Sequence, residues 1–144
     1  MELRGEILLP GAAEGPLLRL RAPISFWGGV DPASGKIVDV RHPDHGRCVA
    51  GTMLALPGTI GSSSSSSVLL ELTRRGMAPA GMLLAEVDAI LLVGLVVAHE
   101  MGWPFCPALR LDAKTFAALD QVACRIRVDG TIEALSLGSF SAMP

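Results

Sequence analysis

The small and hydroxylic side chains of this 144-residue chain concentrate in one segment, Pro57-Gly-Thr-Ile-Gly61 followed by six serines, Ser62 to Ser67. A serine tract is ordinarily a flexible linker. This one follows an apolar run and leads straight into Val68-Leu-Leu-Glu71, which is a poor place for a linker. The same residues read as a glycine-rich turn that opens a helix. Gly58 and Gly61 are expected to let the backbone turn sharply, and the serines to supply N-cap oxygens. Free amide N–H groups would then point outward with the positive end of the helix dipole. Such a helix start binds a carboxylate or a phosphate. A hydroxyl held in positive potential also has its alkoxide favoured. No GK[ST] follows, so this is not a nucleotide-binding P-loop, and no G-x-S-x-G elbow is present. The alternative is an unusually serine-rich helix cap with no ligand.

Other chemistry-bearing residues are sparse. His42 and His45 stand three apart in a Pro/Gly turn and read as surface turn histidines, since two ligands without carboxylate or thiolate support do not hold a metal. His99-Glu100 does not open an H-E-x-x-H motif, because Trp103 occupies the fourth following place. Glu71, Glu86 and Asp88 read as a helix-surface charge, a strand-end charge and a helix cap. No Ser/His/Asp triad follows from the spacing. Cys48, Cys106 and Cys124 form no C-x-x-C pair and are expected as small apolar core fillers in a reducing compartment.

The elements that must position the serine segment follow from periodicity and punctuation. Residues 1–16 are Gly/Pro-rich and read as peripheral. Leu17 to Arg21, Ile24 to Trp27, Lys36 to Val40 and Val49 to Leu56 read as extended segments, with turns at Asp31–Gly35 and His42–Gly46. Val68 to Arg75 reads as a helix stopped by Gly76. Ala80 to Ala85 reads as a buried strand, and Asp88 as the N-cap of a helix running through Ala98 and Met101. Phe105 to Leu111 is a further strand, and Asp112 caps a short helix through Leu119. Val122 to Val128 and Ile132 to Leu135 flank Asp129-Gly130, a two-residue hairpin signal. Alternating strands and helices predict an α/β domain over 1–144, with 136–144 as a second peripheral segment.

Composition narrows the function. Half of the chain is hydrophobic, 18% is charged and the net charge is −2. Low charge with high apolar content excludes disorder. The cations form no stripe, and two Trp, four Phe and no Tyr offer little for base stacking, so nucleic-acid binding is disfavoured. The greasiest run, Ala89 to Ala98, is half the length of a membrane span of about 20 residues. The acidic Met1-Glu-Leu-Arg-Gly-Glu start lacks the apolar core of a signal peptide. A cytoplasmic protein is expected, without a membrane or nucleic-acid partner.

Pro23-Ile-Ser-Phe-Trp-Gly-Gly-Val-Asp-Pro-Ala-Ser-Gly-Lys-Ile-Val-Asp39, His42-Pro43, the glycine–serine loop with Val68-Leu-Leu-Glu71, and Gly76-Met-Ala-Pro-Ala80 resemble the small swivel-domain subunit of aconitase X. Ala89-Ile-Leu-Leu-Val-Gly94 through Ala98 and Glu100 fit the same family, so the resemblance runs from about residue 20 to 130. It implies a swivelling β/β/α fold like the mobile domain of aconitases. It also implies a hydro-lyase completed by a large subunit that carries an iron–sulfur cluster on its own cysteines, acting as Lewis acid on the departing hydroxyl. In those relatives a Gly-Ser-Ser loop at a helix start supplies a serine that removes the substrate proton. Carried onto this chain, Ser62 is the general base, and Gly61, Ser63 and Ser64 bind the carboxylate of the substrate.

Two departures qualify the resemblance. Other aconitases place Arg two positions after the catalytic serine, where this chain has Ser64, and many aconitase X chains have a basic residue where Ile60 stands. Carboxylate binding then falls to backbone N–H groups, serine hydroxyls or the large subunit. Two substrates belong to the family, cis-3-hydroxy-L-proline and mevalonate 5-phosphate, and the Ala/Arg-rich, Lys-poor composition favours the first. The readings from other classes are a non-catalytic swivelling module that carries a group on His42 or His45, and a free-standing serine hydrolase. The carrier needs one of those histidines beside Ser62, and the hydrolase needs a base in reach of a serine hydroxyl.

Overall fold

The central sheet is built from runs that are apolar throughout rather than alternating, as strands covered on both faces must be. The computed structural model describes residues 2–104 and 106–136. Its strands are β1 (Leu3–Arg4), β2 (Glu6–Leu9), β3 (Ala13–Arg19), β4 (Met53–Leu56), β5 (Gly81–Leu84), β6 (Ala108–Arg110), β7 (Ala123–Ile126) and β8 (Thr131–Leu135). The helices are α1 (Phe26–Gly29), α2 (Ser65–Arg74), α3 (Ala89–Glu100) and α4 (Ala113–Ala117). β3, β4, β5 and β6 run parallel in that order, with α2 and α3 as the crossovers between β4, β5 and β6.

Side chains leave this sheet on alternate faces and define two cores. Leu54, Leu56, Met82 and Leu84 point to one side, against Leu69 and Leu72 of α2 and Leu91 and Leu95 of α3. Met53, Ala55, Leu83 and Leu109 point to the other, against Cys124, Ile126 and Ile132 of β7 and β8. The layers are therefore β/β/α, as expected from the resemblance.

β3 joins the two sheets: Ala13 to Pro16 pair antiparallel with β7, and Leu17 to Arg19 pair parallel with β4. The full order is β1-β8-β7-β3-β4-β5-β6-β2, and Gly5 alone separates β1 from β2, so the chain itself links the two ends of the order. Residues 3–16, read from the sequence as peripheral, are thus three strands of the fold. Their Gly/Pro content marks a corner at Gly5 and the change of partner at Pro16, whose missing N–H suits that break.

Three further differences have local causes. Ile24 makes one parallel bridge to Thr59, and Phe26–Gly29 closes a kinked turn in which Gly28 has φ 80°, so Ile24–Trp27 is not a strand. Lys36 to Val40 contributes only single bridges, Ile37 with Val30 and Lys36 with Cys48, and Val49 to Thr52 contributes none, so neither forms a ladder. The β7–β8 hairpin turns on Arg127 to Gly130: Gly130 N–H donates to the Arg127 carbonyl and Gly130 takes φ 88°. That is a turn with a glycine bulge, not the two-residue Asp-Gly turn. The helix boundaries hold better. Asp88 Oδ1 accepts from Leu91 N–H at 3.0 Å and Asp112 Oδ1 from Thr115 N–H at 2.7 Å. Gly76, at φ 73°, ends α2 as read. Phe105 and the segment 137–144 lie outside the described residues.

Of the three cysteines, Cys106 and Cys124 are buried, and desolvation pushes their thiols up to about 12 and about 11. Cys48 is exposed, which corrects its reading as a core filler: it sits in the 36–49 excursion that never enters a ladder.

Two outcomes follow. A Cβ on Gly94 of α3 would lie 2.5 Å from the Ser66 carbonyl oxygen of α2, so Gly94→Val is expected to cost about 1–3 kcal/mol in urea unfolding. At pH 8 the native chain is expected to take up one equivalent of iodoacetamide, at Cys48, because a raised thiol pKa leaves almost no thiolate at Cys106 and Cys124. Mass spectrometry of the native and the urea-unfolded chain reads this, and native labelling at Cys124 would contradict the burial.

Candidate active site

In parallel α/β sheets the carboxyl ends of the strands carry ligands, because the helix N-termini and the loops that lead to them gather there. Here three such segments meet. The chain after β3 reaches Ile24 and Trp27, the chain after β4 forms the serine turn, and the chain after β5 reaches Asp88. Ile60 N–H donates to the Ile24 carbonyl at 3.0 Å, and Thr59 Oγ1 donates to Asp88 Oδ2 at 2.7 Å. The entry to the serine turn is therefore tied on both sides before it begins.

The turn uses its serines differently from the expectation. Ser64 is the N-cap of α2, yet its side chain caps no amide. Instead Ser62 Oγ accepts from Ser64 N–H at 3.2 Å, and the Ser62 carbonyl accepts from Ser65 N–H at 3.1 Å. Ser65 is buried and its Oγ accepts from Trp27 N–H at 3.4 Å, while Ser66 Oγ donates to the Ser63 carbonyl at 3.3 Å. Among the described residues, the amides of Ser62, Ser63 and Ser66 donate to no protein acceptor. They are open donors at the positive end of a ten-residue helix with no acidic residue in its first turn.

Gly58 and Gly61 do not make the turn by left-handed backbone, for neither has a positive φ. Their smallness matters in another way. A Cβ added to Gly61 would meet nothing within 4 Å, so the space above it is open to a ligand. Gly61, Ser62, Ser63 and Ser64 thus lie together on an accessible turn, with Ser62 half-buried and Gly61 and Ser63 exposed.

The remaining candidates disperse. His42 is buried: its Nε2 faces the Ala22 carbonyl at 3.0 Å, and its Nδ1 accepts from Asp44 N–H at 3.0 Å. Both ring nitrogens are occupied, which corrects its reading as a surface histidine. Asp44 in turn accepts from Arg21 N–H at 2.8 Å and Arg21 Nε at 3.1 Å, so His42 and Asp44 staple the 42–46 turn to the end of β3. Isolated spacing gave no sign of this pair, because Arg21 and Asp44 are remote in sequence. Glu71 pairs with Arg74 and with Arg75, and these cations hold its carboxyl down at about 2.

Among the described residues, no His, Asp or Glu is hydrogen-bonded to any of the six serines, and no group of three or more His, Cys, Asp and Glu comes together to hold a metal. Scattered cysteines with two raised thiols do not fit an iron–sulfur cluster in this chain. Nor is any helix among them long and apolar enough to cross a membrane. Trp27, read above as the end of an extended segment and not as a site residue, stands beside the serine turn. Its signal was the concentration of aromatics in Ser25-Phe-Trp27.

Comparison with known proteins agrees with the geometry. The chain is 51% identical over 94 residues to the cis-3-hydroxy-L-proline dehydratase of Pseudomonas aeruginosa, a match covering 65% of this chain and 16% of that protein. It is 34% identical over 141 residues to the enzyme of the same name from Hypocrea jecorina, covering 98% of this chain and 24% of that one. The chain thus spans about a quarter or less of these two dehydratases. Over 138 residues it is 38% identical to the phosphomevalonate dehydratase small subunit of Methanocella arvoryzae, covering 95% and 99% of the two chains. The crystal structure of Thermococcus kodakaraensis aconitase X in its holo form superposes with a TM-score of 0.82 at 28% identity, covering 94% of this chain and 99% of that one. The model of the aconitase X swivel domain matches residues 2–137. A β/β/α architecture with its serine turn at the carboxyl edge of the parallel strands, and a family match over nearly the whole sequence, lead to one conclusion: the chain belongs to the aconitase X swivel-domain family.

Proposed function

We propose that this chain is the small subunit of a hydro-lyase, with Ser62 as the base that removes a substrate proton and Gly61, Ser63 and Ser64 as the carboxylate-binding turn. The observation that carries the reading is the 3.2 Å hydrogen bond from Ser64 N–H to Ser62 Oγ, made beside open amides at a helix start. An N–H that donates to the hydroxyl oxygen, together with the helix dipole, favours the alkoxide over the alcohol. The same amides would hold the carboxylate next to the carbon that loses its proton, where charge develops as the C–H bond breaks.

In the reaction, Ser62 takes the proton from the carbon beside the carboxylate. The C–H electron pair becomes the new C=C bond, and the hydroxyl leaves the neighbouring carbon as hydroxide, so that the proton taken by Ser62 and this hydroxide together make up the water lost. This chain's residues supply the base and the carboxylate site. The electrophile for the departing hydroxyl has to come from a larger partner subunit, where the resemblance puts an iron–sulfur cluster. The three unpaired thiols suit a reducing cytoplasm.

The substrate we favour is cis-3-hydroxy-L-proline, on the strength of the 51% identity to a dehydratase of that name. The second reading is mevalonate 5-phosphate, favoured by the end-to-end match to a phosphomevalonate dehydratase small subunit. A hydrolase is not supported, because no described base is bonded to a serine hydroxyl. A phosphohistidine carrier on His42 is likewise unsupported, with both of its nitrogens engaged away from the turn.

The test is purification of this chain alone and with its large subunit, under anaerobic conditions, followed by assay of both substrates. Activity in the isolated chain would sink the half-enzyme reading. In the complex, Ser62→Ala is expected to lower turnover by about 10²–10⁴-fold with assembly intact, and full activity would move the base elsewhere. Gly61→Ala meets no protein atom, so unchanged folding with a raised KM is expected if the ligand approaches there.

A further inference from the structure

Exposed apolar side chains flank the serine turn on two sides. Ile60 precedes Gly61, and Val87 and Ile90 stand beside Asp88, which is bonded to Thr59. On the other side lies a recess of about 470 Å³, walled by Trp27, Val30, Pro32, Val38 and Val68, with Asp31 as its charged lining residue. Trp27 is 60% exposed and Val38 45%. Val68 stands in the first turns of α2, and the Trp27 N–H donates to Ser65 Oγ, so the wall of the recess and the helix start are joined. Asp31 accepts from Ser34 Oγ at 2.7 Å and from Ala33 N–H at 3.1 Å, and these donors hold its carboxyl below the usual range. Among the described residues no Lys or Arg lines the recess. Arg75, whose charge reaches Asp31, is itself paired with Glu71 at 3.3 Å.

We propose that this recess is a docking point for the large subunit, receiving one of its apolar side chains with a Lys or Arg beside it for Asp31. The proposal rests on the half-enzyme reading, in which a larger protein closes over the serine turn. Three observations favour that occupant over the substrate or a second copy of this chain. Trp27 to Asp31 belong to the stretch that carries the family resemblance, and the alignments to relatives named for two different substrates run over 141 and 138 of the 144 residues, so both contain the recess. An occupant common to the two enzymes fits this better than either substrate does. The recess has room for roughly fifteen waters at about 30 Å³ each, and with Ile60, Val87 and Ile90 the apolar surface is broader than a compact hydroxy acid can cover. Finally, a twofold contact centred on the recess sets Asp31 against Asp31 of the second copy with no cation between them, and like charges across an interface cost affinity. A partner's apolar side chain buries the indole and the valines, and its cation meets a carboxylate that is already ionised. Because the Trp27 backbone holds Ser65, seating the indole also steadies the helix start that presents the open amides.

The test is the affinity of the full chain for its separately purified large subunit, measured by calorimetry at low and at high salt. Trp27→Ala is expected to weaken the complex by about thirtyfold or more, and Trp27→Phe to recover most of that loss. Val38→Glu, a charge placed on the rim, is expected to weaken it by about tenfold or more. Asp31→Lys is expected to do the same at low salt and less at high salt. Circular dichroism and urea unfolding of each isolated variant check that the fold is kept. An unchanged Kd in both Trp27→Ala and Val38→Glu overturns the proposal, as does failure of the wild-type chain to bind. A raised KM with an unaltered Kd overturns it too, by giving the recess to the substrate. So does an isolated chain that light scattering finds dimeric and that Val38→Glu makes monomeric. A complex that depends on Trp27 yet dehydrates neither substrate would remove the hydro-lyase reading and leave the docking point standing. An active complex whose Kd ignores Trp27 and Val38 would do the reverse.

Discussion

The close crossing of α3 over the first turn of α2 is the constraint on which the rest of the structure depends. Gly94 lets the α3 backbone approach so near that an added methyl carbon would overlap the Ser66 carbonyl. Because Ser66 belongs to the serine turn's own helix, this approach sets the depth at which α2 begins relative to the sheet. Leu69 and Leu72 then reach the face formed by Leu54, Leu56, Met82 and Leu84, and the helix start is held at the carboxyl edge of β4. A larger residue at position 94 would push α2 outward and carry the turn with it. Interiors this densely packed relieve overlap by moving elements rather than by compressing them.

Seated in this way, the turn leaves its donors unspent. Most helix starts satisfy their first amides with a side-chain cap, as Asp88 and Asp112 do in this molecule. α2 does not: its N-cap serine caps nothing, and the one serine that accepts from an amide of the turn itself lies two residues earlier. A single carboxylate cap would have been more stabilising for the helix than a run of serines. Local stability has been left unrealised at the point where three strand ends converge, and that is the pattern expected of a site rather than of a scaffold.

Much of this was legible in the sequence, for reasons that can be named. Asp88, Asp112 and Gly76 act within one helical turn, so spacing alone locates them. The buried strands β4 and β5 announce themselves because burial on both faces demands continuous apolar residues. What stayed hidden depends on contacts remote along the chain. The N-terminal strands owe their existence to pairing with the distant β6, β7 and β8, near the other end of the chain, against the signal of their own Gly and Pro. His42 is fixed by Ala22 and Asp44, and Trp27 gains its place from a serine 38 residues on. The glycine–serine segment was legible as a turn opening a helix and so as a candidate site, whereas the division of labour among its hydroxyls was not, since identical residues in a row differ only in their partners.

The surface that remains argues for a half-site. α3 is apolar all round: its inner face fills the core, while Ile90, Val93 and Met101 on the outside are 53%, 50% and 58% exposed. The turn after β4 adds Ile60, exposed next to Gly61, and its neighbour Thr59 is bonded to the α3 cap. A turn with open amides next to exposed apolar residues is a poor arrangement in water, which competes for the amides and is ordered by the apolar groups. Exclusion of water would improve both at once. A proton-abstracting alkoxide needs that exclusion as well, because its charge acts at full strength only in a medium of low dielectric. The features that make the isolated domain look incomplete are thus the ones that a second protein surface, closing over the turn, would convert into catalytic use.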